Sequence, residues 1–452
     1  MTHTSCRGKN FLLLTLLPSL ISCASNDWKQ FHGGATNAGY MNVSNGTQLT
    51  PKWQKPLPLG SVSYSSPAIA SDGTIYVGTT TGALVAVYGD GSGIKWSFQS
   101  NGMFANPTIV SSPAIGQDGD IYFTLVQLAI PTQIPQFGTV LMKIGADGTF
   151  KNSFQFAQTN GFGYPYTTAS PKLLDYNGGE YIFIVSRGSL FVFDKSLNAI
   201  AQHRINCSGD LTEPTLPGTW DFDLLDPQHY YGVQGGGHFF DVFQNPTTGY
   251  WIDPTVAVIT NVNGQDLASP MVAAPLNHCG LEGFSFTPPP NAALAPKWFA
   301  PRTNEELLSS PAISDDGEVV IGSSSGWLFS YDVVSGNGKW IYNTHEPMMA
   351  TPAFFIGIDP LFAAGLNNLY TINGGSVYAK VALPGATEAS PAATKGAFVV
   401  STQAGVISAN SNLTQVTTNA LILGGMSSPA IGGDGTIYVV SSTGALMAYS
   451  GN

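Results

Sequence analysis

Short apolar runs, broken by polar pairs that contain glycine, fill this chain from Ser65 to its end. In the first clear unit the runs are Pro67-Ala-Ile-Ala70, Thr74-Ile-Tyr-Val-Gly78, Ala83-Leu-Val-Ala-Val-Tyr88 and Ile94-Lys-Trp-Ser-Phe98. Asp72-Gly73, Thr81-Gly82 and a Gly/Asp/Ser turn separate them. Runs this short, joined by pairs that accept φ > 0, predict antiparallel strands in hairpins. Apolar residues at helical spacing are nowhere sustained, so the chain reads as all-β.

The unit recurs. Ser-Ser-Pro-Ala-Ile stands at Ser65–Ile69, Ser111–Ile115, Ser309–Ile313 and Ser427–Ile431, with looser copies around Pro171, Pro270, Pro352 and Pro391. The last five of these prolines (270, 311, 352, 391 and 429) lie 41, 41, 39 and 38 residues apart. Four strands in about 40 residues, repeated at that period, predict radially stacked propeller blades. Eight unit starts predict eight blades, seven being the alternative count. The fourth start is either Asp253–Ile259 or Ser269-Pro270. The final unit ends after its third strand, and Pro51–Lys55 supplies the missing fourth, so the N-terminal strand is expected to close the ring. The propeller then spans 51–452, with insertions at about 206–250 and about 275–295.

Charge and the amino terminus narrow the setting. A net charge of −11, with 17 Lys and Arg among 452 residues, excludes the clustered cations that nucleic-acid binding needs. Arg7 and Lys9 precede an apolar stretch, Phe11–Ile21, too short to span a bilayer, which reads as an export signal over residues 1–22. Leu20-Ile21-Ser22-Cys23 resembles the lipobox of bacterial lipoproteins. That resemblance implies cleavage before Cys23, acylation of Cys23, and a lipidated tether and lead-in over 23–50. Ala24 in the next position implies the outer membrane, facing the periplasm or the cell surface. Cys207 and Cys279 remain as a candidate disulfide in an oxidising compartment, with two free thiols as the alternative.

The repeats resemble those of quinoprotein-type (PQQ-like) propellers, in which a Ser-Pro entry strand is followed by apolar strands and a Gly-x-x-x-Trp docking element. Ser330-x-Asp332-x-x-Ser335-Gly336-x-x-x-Trp340 matches that element closely, and Ala86–Trp96 matches it in part. The lipobox, repeat type and size together resemble the propeller lipoprotein of the outer-membrane β-barrel assembly machinery. This implies a scaffold whose partners are cell-envelope proteins, including components of that machinery. The family's dehydrogenases stack a quinone on adjacent cysteines beside a metal held by Glu, Asn and Asp. No Cys-Cys pair and no Cys-x-x-Cys-His occurs here, so no cofactor is expected. The 206–250 insertion is the segment most unlike the rest, with His229 and His238 nine residues apart and Asp241 close by. Histidine with carboxylate is metal-donor chemistry, and aromatics with amides suit a sugar face. His229, His238 and Asp241 are therefore the candidate site for two alternative readings: an enzyme or ligand-binding protein, and an adhesion or glycan-binding module. The plain alternative is a long loop covering one face of the propeller.

Overall fold

The computed structural model describes residues 27–58, 64–100, 107–127, 138–156, 169–186, 189–204, 254–276, 280–302, 309–355, 358–419, 427–441 and 443–451, with isolated residues 103, 167, 305 and 307. It is an all-β propeller of eight blades, each a four-stranded antiparallel meander from an inner to an outer strand; blade 2 carries one extra short strand, Pro107–Thr108. The inner strands begin at Ala68, Ala114, Lys172, Ala257, Ala312, Ala353, Ala392 and Ala430 for blades 1 to 8. No helix among the described residues is long and apolar enough to cross a membrane.

The entry phrase marks the inner strand because its two serines do different things. In blades 1, 2 and 5 the first bonds within its own blade: Ser65 Oγ accepts from Gly78 N–H at 3.1 Å, Ser111 Oγ from Thr124 N–H at 2.9 Å and Ser309 Oγ from Gly322 N–H at 2.6 Å. In blade 8, Ser427 Oγ instead donates to Ser65 O of blade 1. The second faces the neighbouring blade, as described below. The Asp-Gly pairs form the hairpin turns: Gly73, Gly119, Gly317 and Gly435 all lie at φ between 81° and 83°, which a side chain would strain.

Closure follows the predicted route. Leu49–Pro56 pairs antiparallel with Ala445–Gly451 and is the outer strand of blade 8. The core sits between blades. Ala68, Leu84 and Ala86 of blade 1 pack on Ile115, Phe123 and Met142 of blade 2, and each later interface is built likewise. Tryptophans of the outer strands dock on glycines of the next blade. A Cβ on Gly148 would lie 2.8 Å from the Trp96 ring, one on Gly375 2.6 Å from Trp340, and one on Gly91 2.5 Å from Trp53. The last contact joins blade 8 to blade 1.

Two boundaries differ from the sequence reading. Most of 275–295 is not an insertion: residues 275–276 end the strand Gln265–Leu276, and Gly280–Thr287 and Ala293–Pro301 are blade strands joined by a turn at Pro288–Pro290. Prolines cannot donate to a ladder and so sit where the ladder turns. Blade 4 begins with Ala257–Val262, not with Ser269-Pro270. Pro270 lies within the second strand, where the register slips between Ile259 and Asn261 and leaves it outside the paired positions.

The meander gives the ring two unlike faces. Hairpins between first and second strands, and between third and fourth, open on one face. Hairpins between second and third strands, and the links between blades, open on the other. The second face, called the loop face here, holds the strand ends at Gln127 and Gly138, at Gln155 and at Arg204.

Residues 28–45, read from sequence as part of a lead-in, circle the channel on the other face. Ile69 N–H of blade 1 donates to Trp28 O, Ile115 of blade 2 to Lys29 O, and Leu173 of blade 3 to Gln30 Oε1, all at 2.8 Å. Val258, Ile313, Phe354 and Ala393 of blades 4 to 7 donate to Ala35, Thr36, Ala38 and Gly39 O at 2.7–2.8 Å. Asn45 Nδ2 then reaches Gly435 O of blade 8 at 3.0 Å. One segment thus bonds every blade in turn before becoming the last strand. We call it the belt.

Candidate functional site

The axial channel is where one side chain from every blade meets. The second position of the entry phrase is Ser66, Ser112, Ser170, Thr255, Ser310, Thr351, Ser390 and Ser428 in blades 1 to 8, and all are at least nine-tenths buried. The N–H of each donates to the hydroxyl of the next: Ser66 to Ser112 at 3.0 Å, Ser112 to Ser170 at 2.8 Å, Thr255 to Ser310 at 2.9 Å and Ser310 to Thr351 at 3.2 Å. Thr351 to Ser390 and Ser390 to Ser428 are 2.9 Å, and Ser428 to Ser66 closes the circle at 3.0 Å. One link is made differently: Thr255 Oγ1 donates to Ser170 O at 2.6 Å, at the junction where the chain of 205–253 enters. Seven of the hydroxyls accept from a buried N–H of the neighbouring blade and Thr255 donates to its carbonyl, which accounts for a hydroxyl residue in every copy.

These hydroxyls, with Phe31, Tyr64, Met349 and Glu388, line a cavity of about 50 Å³. That is room for a few water molecules. The described residues contain no cluster of three His, Cys, Asp or Glu able to hold a metal.

Two buried basic side chains, Lys172 and His32, tie the belt to the ring. Lys172 occupies the position that is alanine in the other seven blades. Its Nζ donates to Phe31 O at 2.8 Å and Gly34 O at 3.0 Å and lies 5.7 Å from the centre of the Phe31 ring. Burial with no ion-pair partner among the described residues holds its pKa well below the ordinary lysine range. The Nζ thus pins the belt where it steps from blade 3 to blade 4. Lys172→Met keeps most of the volume but strips both carbonyls of their donor. It should cost about 2–4 kcal/mol, read as a lower urea midpoint at unchanged slope.

His32 fills the other pocket. Its Nδ1 and Nε2 lie 2.6 Å from Asn37 O and Pro391 O, tying the belt to blade 7. Complete burial pulls its pKa down to about 4, the two carbonyl contacts pull upward, and Lys172 adds a smaller downward push. A folded pKa below the unfolded value of 6.5 favours the neutral ring in the fold. The stabilisation is therefore full above pH 6.5, falls as pH drops toward 4, and is gone below that. The expected loss is about 3 kcal/mol. His32→Asn, whose side chain tolerates the positive φ of this residue, should flatten that part of the urea-midpoint profile.

The sequence-predicted site residues are not brought together here. Cys23, Cys207, Cys279, His229, His238 and Asp241 all lie outside the described residues. The strand entering the insertion ends at Arg204, and the chain is described again from Pro254. At the junction below it, His203 of blade 3 lies 3.9 Å from Glu282 of blade 4, both buried. The belt and ring residues were missed, although two signals were in the sequence: the second residue of the entry phrase is always Ser or Thr, and Lys172 alone replaces its alanine.

No protein-family model matches the sequence, and no curated protein matches it. Its fold matches solved structures at low identity. BamB from Moraxella catarrhalis superposes with a TM-score of 0.58 at 12% identity, covering 89% of this chain and 100% of that one. A europium-containing methanol dehydrogenase matches with a TM-score of 0.61 at 11% identity, over 94% and 98% of the two chains. The quinohemoprotein alcohol dehydrogenase from Comamonas testosteroni matches with a TM-score of 0.60 at 12% identity, over 94% of this chain and 80% of that one. The fold is that of the PQQ-like eight-bladed propellers.

Proposed function

We propose that this chain is a non-catalytic scaffold of the bacterial cell envelope, held to a membrane through acylated Cys23, that binds other envelope proteins on its loop face. The observation that carries this reading is the use of the channel. Among the described residues the axis is lined by hydroxyls engaged in blade-to-blade hydrogen bonds and is circled by the belt, so these groups serve the framework. The full-length match to BamB and the lipobox at Leu20–Cys23 support the same reading. Components of the outer-membrane β-barrel assembly machinery are the first partners to seek. Purified lipoprotein should retain membrane β-barrel proteins or their assembly factors, and a chelator should leave that retention unchanged. Retention that disappears with chelator and with His229→Ala or His238→Ala would instead favour a metal-dependent site in the insertion.

The same reading includes a Cys207–Cys279 disulfide. Cys207 follows the outer strand of blade 3 by three residues, and Cys279 precedes the third strand of blade 4 by one. Both strand ends lie on the loop face of adjacent blades. A disulfide-linked peptide pair in non-reducing mass spectra checks it, and two alkylated thiols would contradict it.

A further inference from the structure

The belt fixes where an anchor at Cys23 would leave the propeller. Trp28 is fully buried, and its carbonyl takes the Ile69 N–H of the inner strand of blade 1 at 2.8 Å. Cys23 precedes it by five residues, and a fully extended stretch of that length reaches about 17 Å. Inner and outer strands of a blade are three spacings of about 4.8 Å apart, some 14 Å before side chains are added. A link starting near the centre of the belt face therefore cannot carry a bilayer round the rim to the loop face. An edge-on pose would use the whole link even at blade 1.

A second observation points to the same face. Among the described residues, most large apolar side chains left exposed are in turns between third and fourth strands or in the first three residues of outer strands, at the belt-face end of the blades. They are Tyr88 and Ile94 of blade 1, Phe150 of blade 2, Val334 of blade 5, Tyr378 of blade 6 and Val416 of blade 7. Spread around the rim, they form no single patch for a protein partner, but suit the headgroup level of a membrane, where aromatic side chains concentrate. Asp90 and Asp147 lie in these turns, Asp332 ends the third strand of blade 5 and Asp72 sits in a first-to-second-strand turn of the same face, so charge alone would not draw this face to an anionic surface. The acyl chains must supply the affinity.

We propose that the belt face lies against the bilayer and the loop face is turned away from it toward partners. This rests on acylation of Cys23. In that arrangement the belt is both the innermost tie of the ring and the mount that sets its orientation.

The test uses acylated mature protein in vesicles of phosphatidylethanolamine and phosphatidylglycerol, in a Cys207→Ser, Cys279→Ser background. A fluorophore is placed at Val334→Cys, Tyr378→Cys or, on the loop face, the exposed Gln403→Cys. Headgroup spin-labelled lipid should quench the first two several-fold more than the third. Inserting about twelve Gly/Ser residues after Ala24 adds roughly 20 Å of reach and should erase the difference while the acyl mass is kept. Equal quenching at all three positions, or stronger quenching at 403, overturns the orientation. The mass of the N-terminal peptide is read on the same sample. A peptide without acyl chains overturns the anchor and the orientation together, whereas an acylated peptide with no quenching difference overturns the orientation alone.

Discussion

A variant lacking residues 27–44 but keeping the strand Leu49–Pro56 should lose at least about 5 kcal/mol of stability, although no blade strand has been touched. The belt contributes two terms. Trp28 is buried completely against the core shared by blades 8 and 1, and losing a tryptophan from such a site costs about 3–5 kcal/mol by itself. The belt also accepts the inner-strand N–H groups of Ile69, Ile115, Leu173, Val258, Ile313, Phe354 and Ala393. Water can enter behind a deleted belt and recover part of that bonding, so the second term is smaller than seven full desolvation penalties. Chemical denaturation followed by tryptophan fluorescence reads the sum. A midpoint within error of the full chain would mean that the belt rests on the ring without holding it. Trp28→Ala, leaving the belt backbone intact, should show the first term alone.

The second large effect is expected at ring closure. Gly91 lies at φ +74° with the Trp53 ring where its Cβ would be, so Gly91→Ala meets both backbone strain and a clash. Gly73 has a similar φ of +81° and nothing within 4 Å, so Gly73→Ala meets the strain alone. Strain of this kind costs about 1–2 kcal/mol, and forced overpacking adds about 1–3. Gly91→Ala should therefore cost about 2–5 kcal/mol, clearly more than Gly73→Ala. In a Trp53→Ala background the clash is gone, and the same substitution should cost no more than it does at Gly73. This double-mutant cycle isolates the docking of the N-terminal strand's tryptophan onto blade 1. Equal costs at Gly91 and Gly73 in the parent chain would show that Trp53 does not press on blade 1.

The blades were legible because their cause is local. Alternating runs, Asp-Gly turns and a period near 40 residues are written into each unit, and the unfinished last unit pointed to Pro51–Lys55 for closure. The belt was not legible for the opposite reason. Its residues mostly offer backbone carbonyls to partners up to several hundred positions away, and such bonding leaves no apolar pattern to read. Ser269-Pro270 misled because a Ser-Pro pair suits a strand bulge as well as a strand entry. The hydroxyl ring was half legible. Its serines were seen as a repeat, but only the geometry shows that in blades 1, 2 and 5 the first serves its own blade and the second the next. The sequence-predicted site residues, from His229 to Asp241, fall outside the described residues, so the case for function rests on the channel, the belt and the lipobox.

Crosslinking in intact cells is the most direct test of the scaffold reading. A photo-reactive residue placed at Gln403 or Ser325, in second-to-third-strand turns of the loop face, should trap envelope proteins reproducibly, with outer-membrane β-barrel proteins or their assembly factors among them. The same residue at Val334 or Tyr378 on the belt side should trap few proteins. Loop-face probes that trap no protein, in cells where the lipoprotein is made and exported at its normal level, would contradict the scaffold function.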